Sequence, residues 1–147
     1  MYQLTGEYEV RLDDKGRFRI PGQLMKQLSL NTSGKLVLNR GFENCLLLYP
    51  NDVWEEKTRE VNQLNTYIAK NREFVRYFYR GATVLIPDAN DRLLLPKSLI
   101  SHAGINQDMI LLAYHNQIEV WSKEAYLKMV DSEPVDFSKL AEEIFKI

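Results

Sequence analysis

A chain of 147 residues, 45% of them hydrophobic and with a net charge of −1, suffices for one compact domain or for two small repeats sharing a core. That balance excludes a disordered, apolar-poor chain, and no apolar run approaches the length that spans a bilayer. The single cysteine, Cys45, excludes an internal disulfide framework, and its place in an apolar run reads as a buried, inert thiol.

The first residues lack the basic segment and apolar stretch of a signal peptide, so a cytoplasmic setting is expected. The charge is unevenly spread. Residues 1–40 carry seven Lys/Arg and four Asp/Glu, a net +3; residues 41–65 carry two and five, a net −3. Residues 66–80 carry four and one, a net +3, and residues 81–147 carry six and ten, a net −4. Only the first half has the sign that suits phosphate.

In chain order, Glu7-Tyr8-Glu9-Val10-Arg11-Leu12 alternates polar and apolar, the pattern of a half-buried strand with Tyr8, Val10 and Leu12 inward. Asp13-Asp14-Lys15-Gly16 is turn chemistry, with Asp able to accept the following amides and Gly able to take positive φ in a hairpin. Arg17-Phe18-Arg19-Ile20 resumes the alternation, so Arg17 and Arg19 share one face. Pro21 ends that strand and suits the first turn of a short helix carrying Leu24, Met25 and Leu28. Asn31-Thr32-Ser33-Gly34 reads as a loop.

Leu36-Val37-Leu38 and Cys45-Leu46-Leu47-Leu48-Tyr49 read as two strands. Pro50-Asn51-Asp52 is expected to cap a helix to about Leu64, with Val53, Trp54, Lys57, Val61 and Leu64 on one flank. Thr66 is expected to cap a second helix through about Arg80, apolar at Ile68, Phe74, Val75 and Phe78. Lys70, Arg72, Arg76 and Arg80 make it basic, which suits a solvated face, a phosphate contact or an acidic neighbouring subunit.

The chain then repeats itself. Asp13-x-x-x-Arg17-Phe18-Arg19-Ile20-Pro21 returns 75 residues later as Asp88-x-x-x-Arg92-Leu93-Leu94-Leu95-Pro96. Gly6 and Gly81 keep the same spacing in front, and Leu24 and Leu99 keep it behind. Strands follow in both copies, at Met109 to Ala113 and Gln117 to Trp121 in the second. Ser122 caps Lys123–Val130, and Gly104 closes the helix before. Thr83-Val84-Leu85-Ile86 and Leu93-Leu94-Leu95 are continuously apolar, which implies strands covered on both faces or packed on a neighbour. Beyond Glu133-Pro134, Asp136 can cap a helix whose stripe is Phe137, Leu140, Ala141, Ile144 and Phe145. The organisation expected is a first repeat at 1–65, a connecting basic helix at 66–80, a second repeat at 81–130 and a helical tail at 131–147.

Gly6 with Leu12-Asp13-Asp14-Lys15-Gly16-Arg17-Phe18-Arg19-Ile20-Pro21, then Cys45-Leu46-Leu47-Leu48-Tyr49-Pro50 with Trp54, then Asp88-x-x-x-Arg92-Leu93 resemble, in order, the MraZ family. That family comprises bacterial transcriptional regulators of the division and cell-wall gene cluster, within the AbrB/SpoVT class of swapped-hairpin DNA-binding barrels. The resemblance implies an α+β fold in which two tandem AbrB/MraZ-like β repeats form a pseudo-twofold, double-split β-barrel flanked by helices. It also implies a ring-shaped homo-oligomer, octamer-sized or larger, that acts on the nucleoid. Its target would be double-stranded DNA carrying G-rich direct repeats upstream of its own cluster.

On that resemblance Arg17 is the first choice for base contact, since a guanidinium fork fits guanine O6 and N7. Lys15 and Arg19 are phosphate or base candidates, Gly16 permits close backbone approach, and Asp13 orients Arg17. Asp88 and Arg92 repeat the motif, but Asn90 and Asp91 stand where Lys15 and Gly16 stand in the first copy, so Arg92 is equally a candidate for DNA or for an interface. The residues alone leave a second reading of both motifs open, a hairpin-stabilising ion pair of small worth.

No enzyme, cofactor or small-molecule substrate is expected. His102 and His115 lack ligand spacing, a metal at Asp88, Asp91 and His102 competes poorly with simple turn capping, and no Gly-rich phosphate loop is present. The rival is an antitoxin-like or structural oligomerisation module of the same barrel class that binds protein.

Overall fold

The computed structural model describes residues 2–28, 34–132 and 136–146. The first half forms β1 (Leu4–Arg11), β2 (Arg17–Arg19), α1 (Gly22–Leu28), β3 (Leu36–Arg40), β4 (Leu46–Pro50), α2 (Asn51–Val61) and α3 (Ala69–Tyr79). The second forms β5 (Thr83–Leu85), β6 (Arg92–Leu94), α4 (Lys97–Ala103), β7 (Asp108–His115), β8 (Gln117–Ser122), α5 (Lys123–Ser132) and α6 (Phe137–Phe145). The fold is α+β with antiparallel pairing throughout the described strands.

The two halves repeat the same order, strand, strand, short helix, two strands, helix, but they do not fold side by side. The large sheet runs β1-β7-β8-β4-β3-β5. Read from either edge, the first strand of one repeat lies on the third strand of the other. Thus β1 pairs with β7, Gly6 against Ala113 and Val10 against Met109, while β5 pairs with β3, Leu36 against Leu85. The fourth strands, β4 and β8, join the halves at the centre, Leu48 against Ile118.

The strands flanking each Asp-x-x-x-Arg do not pair with one another, contrary to the hairpins expected from the alternation. Instead β2 pairs with β6, its counterpart in the other copy, with Phe18 opposite Leu93. The reason is burial. Phe18, Ile20, Leu93 and Leu95 point into one core with Leu38, Leu46, Leu48, Met109, Leu111, Ile118 and Val120, and no two-stranded hairpin alone could cover them. Each such side chain removed from water contributes about 1.5–3 kcal/mol. Two further bonds tie the copies together, Ile20 N–H to Asp91 O at 2.9 Å and Leu95 N–H to Gly16 O at 2.8 Å.

Helices close the remaining faces. α1 packs on β1 through buried Leu24 and Leu28, and α4 on β3 through Leu99 and Ala103. α2 lies on β3 and β4, where Trp54 meets Tyr49 and stacks on Phe78 of α3 at 5.4 Å. α5 covers β7 and β8 over a smaller cluster of Cys45, Ile110, Trp121 and Tyr126. Burial, then the carboxylates Glu119 and Glu43, push the Cys45 thiol up to about 12, so it stays protonated.

Caps fall partly where expected. Ser122 Oγ accepts from Ala125 N at 3.1 Å, Asp136 Oδ1 from Lys139 N at 3.2 Å, and Gly104 ends α4 in the left-handed region. Thr66 does not cap α3. The helix starts at Ala69 after Ile68, and the Thr66 carbonyl instead accepts from Arg72 Nη1 at 2.8 Å. Nor does a side chain cap α2, which Pro50 precedes.

The continuous apolar runs of the second copy are not covered on both faces within one chain. Leu85, Leu93 and Leu95 are buried, but Val84, Ile86 and Leu94 are 58%, 67% and 56% exposed. The short β5 is a sheet edge, paired on one side only, with β3. Residues 31–33 of the expected loop and Glu133-Pro134 lie outside the described residues.

Candidate nucleic-acid interface

Each motif builds the same turn. Asp13 Oδ1 accepts from Lys15 N and Arg17 N, both at 2.9 Å, and Oδ2 accepts from Arg17 Nε at 3.0 Å. In the second copy Asp88 Oδ1 accepts from Asn90 N and Arg92 N at 2.9 Å, and Oδ2 from Arg92 Nε at 2.9 Å. Asp13 N–H closes the first loop onto Arg17 O at 2.8 Å, and Asp88 N–H closes the second onto Arg92 O at 3.0 Å. One carboxylate thus organises two amides and one guanidinium, which is why Asp must precede Arg by four.

The electrostatics follow. Above all the Arg17 amide, joined by the Lys15 amide and the Arg17 guanidinium and opposed by partial desolvation, holds the Asp13 carboxyl below its usual range. Arg92 and Asn90 do the same for Asp88. The bond to Nε engages one edge of each guanidinium. The terminal nitrogens of Arg17 meet no acceptor among the described residues.

The fourth loop position must take positive φ. Gly16 stands at +82° and Asp91 at +60°. A methyl group on Gly16 would meet only ordinary contacts, Leu95 O at 3.5 Å and Ile100 Cδ1 at 3.6 Å, so conformation and not space selects glycine. Asp is among the few residues besides glycine that enter this region readily, which is how the second copy does without glycine.

The β2–β6 ribbon then decides where the cations go. Its inner face is Phe18 and Leu93; its outer face carries Arg17 opposite Leu94 and Arg19 opposite Arg92. Arg19 and Lys15 are exposed, and Arg17 and Arg92 are partly so. The structure therefore gathers Asp13, Lys15, Gly16, Arg17 and Arg19 with Asp88 and Arg92 at one place. The Arg19–Arg92 juxtaposition has no signal in the sequence, since it depends on pairing between two residues 73 positions apart, one in each copy.

The metal alternative finds no support in how Asp88 is used, since both its oxygens bond the turn, and no group of three potential ligands occurs among the described residues. A surface hollow bordered by Asp52, Glu55, Glu56, Lys57 and Arg59 shares no residue with the ribbon. Arg40, at the end of β3, has a structural duty: it donates to Arg80 O and Tyr77 O, each at 3.1 Å, at the end of α3 and stacks 4.4 Å over the Tyr77 ring.

The family model of the MraZ protein, described as antitoxin-like, matches twice, over residues 3–77 and 78–147. The chain belongs to the MraZ family. The double match shows two MraZ repeats in tandem, each carrying one Asp-x-x-x-Arg turn. Relatives named transcriptional regulator MraZ include that of Flavobacterium psychrophilum, 39% identical over 98% of this chain and 92% of its own length. That of Christiangramia forsetii is also 39% identical, over 98% of this chain and 94% of its own. That of Bacteroides fragilis is 36% identical over 99% and 93%. No helix among the described residues is long and apolar enough to cross a membrane.

Proposed function

We propose that the chain is a DNA-binding transcriptional regulator, a repressor of its own division and cell-wall gene cluster, that reads G-rich direct repeats through the β2–β6 ribbon. The observation that carries this is Arg19 directly opposite Arg92, with Arg17 two residues along on the same face. Like charges opposed across strands destabilise a sheet. A polyanion bound there would repay that cost.

Arg17 is the proposed base reader, because Asp13 fixes its direction through Nε and leaves the outer nitrogens for guanine O6 and N7. Arg19 and Lys15 neutralise phosphate, and Asp13 is a positioning residue. Arg92 adds charge, but Asp91 beside it lowers its pull on phosphate, so its share is smaller.

The palindromic strand order supports a pseudo-twofold, double-split barrel of the AbrB/SpoVT class. One ribbon neutralises few phosphates, and affinity grows with their number. Several ribbons on a closed ring supply it through effective concentration. Head-to-tail copies face the same way along DNA, which matches direct repeats, where two-fold dimers would match inverted ones.

The test is a salt-dependent titration on upstream direct-repeat duplex. Arg17→Ala is expected to lose about 1–3 kcal/mol of affinity, roughly fivefold to 150-fold, with fold and assembly unchanged. Equal binding by Arg17→Ala removes Arg17 from the role. The competing reading, an antitoxin-like module that binds protein, draws on the exposed apolar stripe of α6. It requires wild type to show no salt-dependent affinity for the duplex.

A further inference from the structure

Among the cations on the outer face of the β2–β6 ribbon stands one apolar side chain. Leu94 is 56% exposed, while its neighbours Leu93 and Leu95 are buried. The repeat sets Leu94 where the first copy carries Arg19, so the outward positions are Arg17, Arg19, Arg92 and Leu94. Three carry charge and the fourth does not.

Two observations fix where Leu94 lies. It stands directly opposite Arg17. The bond from Leu95 N–H to Gly16 O ties that end of β6 to the first turn, and Leu94 Cδ1 lies 3.8 Å from where a Cβ on Gly16 would stand. Leu94 therefore shares one end of the ribbon with Lys15, Gly16 and Arg17, while Arg19 faces Arg92 at the other.

A lone exposed Leu is ordinary. Its place is not, because the face it shares is the one proposed to enter DNA. The major groove admits a two-stranded ribbon, and its base edges offer hydrogen-bond donors, acceptors and one apolar group, the C5-methyl of thymine. Against a donor or acceptor, Leu94 would strip away water and return no hydrogen bond, at a cost. Against the methyl it buries apolar surface on both sides. Opposed side chains in a ribbon have Cβ atoms roughly 4.5–5.5 Å apart, and successive bases lie roughly 3.4 Å apart along a strand. Leu94 and Arg17 thus reach the same base step or neighbouring ones.

We infer that Leu94 is a specificity-determining residue that reads a thymine C5-methyl within about two base steps of the guanine read by Arg17. The inference rests on the DNA reading above and gives the second repeat its own share in it. That share is apolar selection of an A·T pair beside the charge supplied by the first repeat.

The test is a titration of the upstream direct-repeat duplex against the same duplex with deoxyuridine for thymine, which removes the methyl and keeps pairing and charge. Wild type is expected to lose about fourfold in affinity for each methyl contacted. Replacing thymines one at a time should confine the loss to those near the guanine that Arg17 reads. Leu94→Ala is expected to bind the thymine duplex as weakly as wild type binds the substituted one, and to lose nothing further on substitution. It should keep the wild-type salt dependence, because a methyl contact releases no counterion. Circular dichroism checks folding, and should Leu94→Ala unfold, Leu94→Gln takes its place with the same expected insensitivity to the methyl.

Equal affinity of wild type for both duplexes overturns the inference and leaves the DNA reading standing. So does a folded Leu94 variant that keeps the full loss on deoxyuridine, since the methyl is then read elsewhere. A Leu94 variant of lowered solution mass by light scattering would give the side chain to a contact between copies, and also overturns it. A wild-type chain with no salt-dependent affinity for either duplex removes the DNA reading itself, and this inference with it.

Discussion

Gly16 and Asp91 show how one backbone requirement is met by two side chains with different consequences. Both hold positive φ, so Gly16→Ala is expected to destabilise by about 1 kcal/mol in urea unfolding, since Cβ in that region is strained. Gly16→Asp copies what the second loop already tolerates and is expected to keep the fold while weakening DNA binding, because it sets a carboxylate beside Arg17. Retained affinity in Gly16→Asp, measured in the same titration, would argue against charge as the operative property of this loop. The depressed Asp13 and Asp88 carboxyls carry a pH signature. A group with a lowered folded pKa contributes stability above its unfolded value, about 3.9, and that contribution is lost as pH falls through the lower folded value. Acid unfolding of Asp13→Ala/Asp88→Ala should therefore show a shallower dependence on pH in the range below about 4 than wild type.

At the scale of elements, the ribbon is a device with a wet face and a dry one. Phe18 and Leu93 anchor β2 and β6 in the core, while Arg17, Arg19 and Arg92 stand opposite. Phe18→Ala is expected to cost about 3–5 kcal/mol in chemical denaturation, because a fully buried ring leaves a cavity its neighbours cannot close. Its effect on DNA binding should follow the fraction folded, unlike Arg17→Ala, which should change affinity alone. The outward residues of β5 and β6, Val84, Ile86 and Leu94, are the converse, apolar side chains on a wet face. Their runs of apolar residues read as fully covered strands, and one chain supplies only half the cover.

For the whole molecule, the consequence of interleaving is that neither repeat has a complete sheet of its own. β1 needs β7, β5 needs β3, and β2 needs β6. Residues 1–80 and 81–147 expressed separately are therefore expected to lack cooperative unfolding, and to recover it when mixed. Circular dichroism melts of each piece and of the mixture check this; two independently folded halves would contradict the role assigned to the exchanged strands. The tandem family match and the 75-residue offset describe a repeat of sequence, while the sheet makes one cooperative body of it.

The sequence by itself determined what is local. Alternation placed Arg17 and Arg19 on one face, Asp-x-x-x-Arg spelled out the turn that the Asp13 carboxylate organises, and Ser122, Asp136 and Gly104 marked helix ends. These depend on residues within a few positions of each other, where bond geometry and backbone hydrogen bonding suffice. Only the tertiary structure decided that the motif strands desert their own hairpins for each other, that Arg92 stands across from Arg19, and that Arg40 holds the end of α3. Those follow from burying Phe18, Leu93 and their neighbours in one shared core, a sum over residues far apart in the chain that no local pattern records.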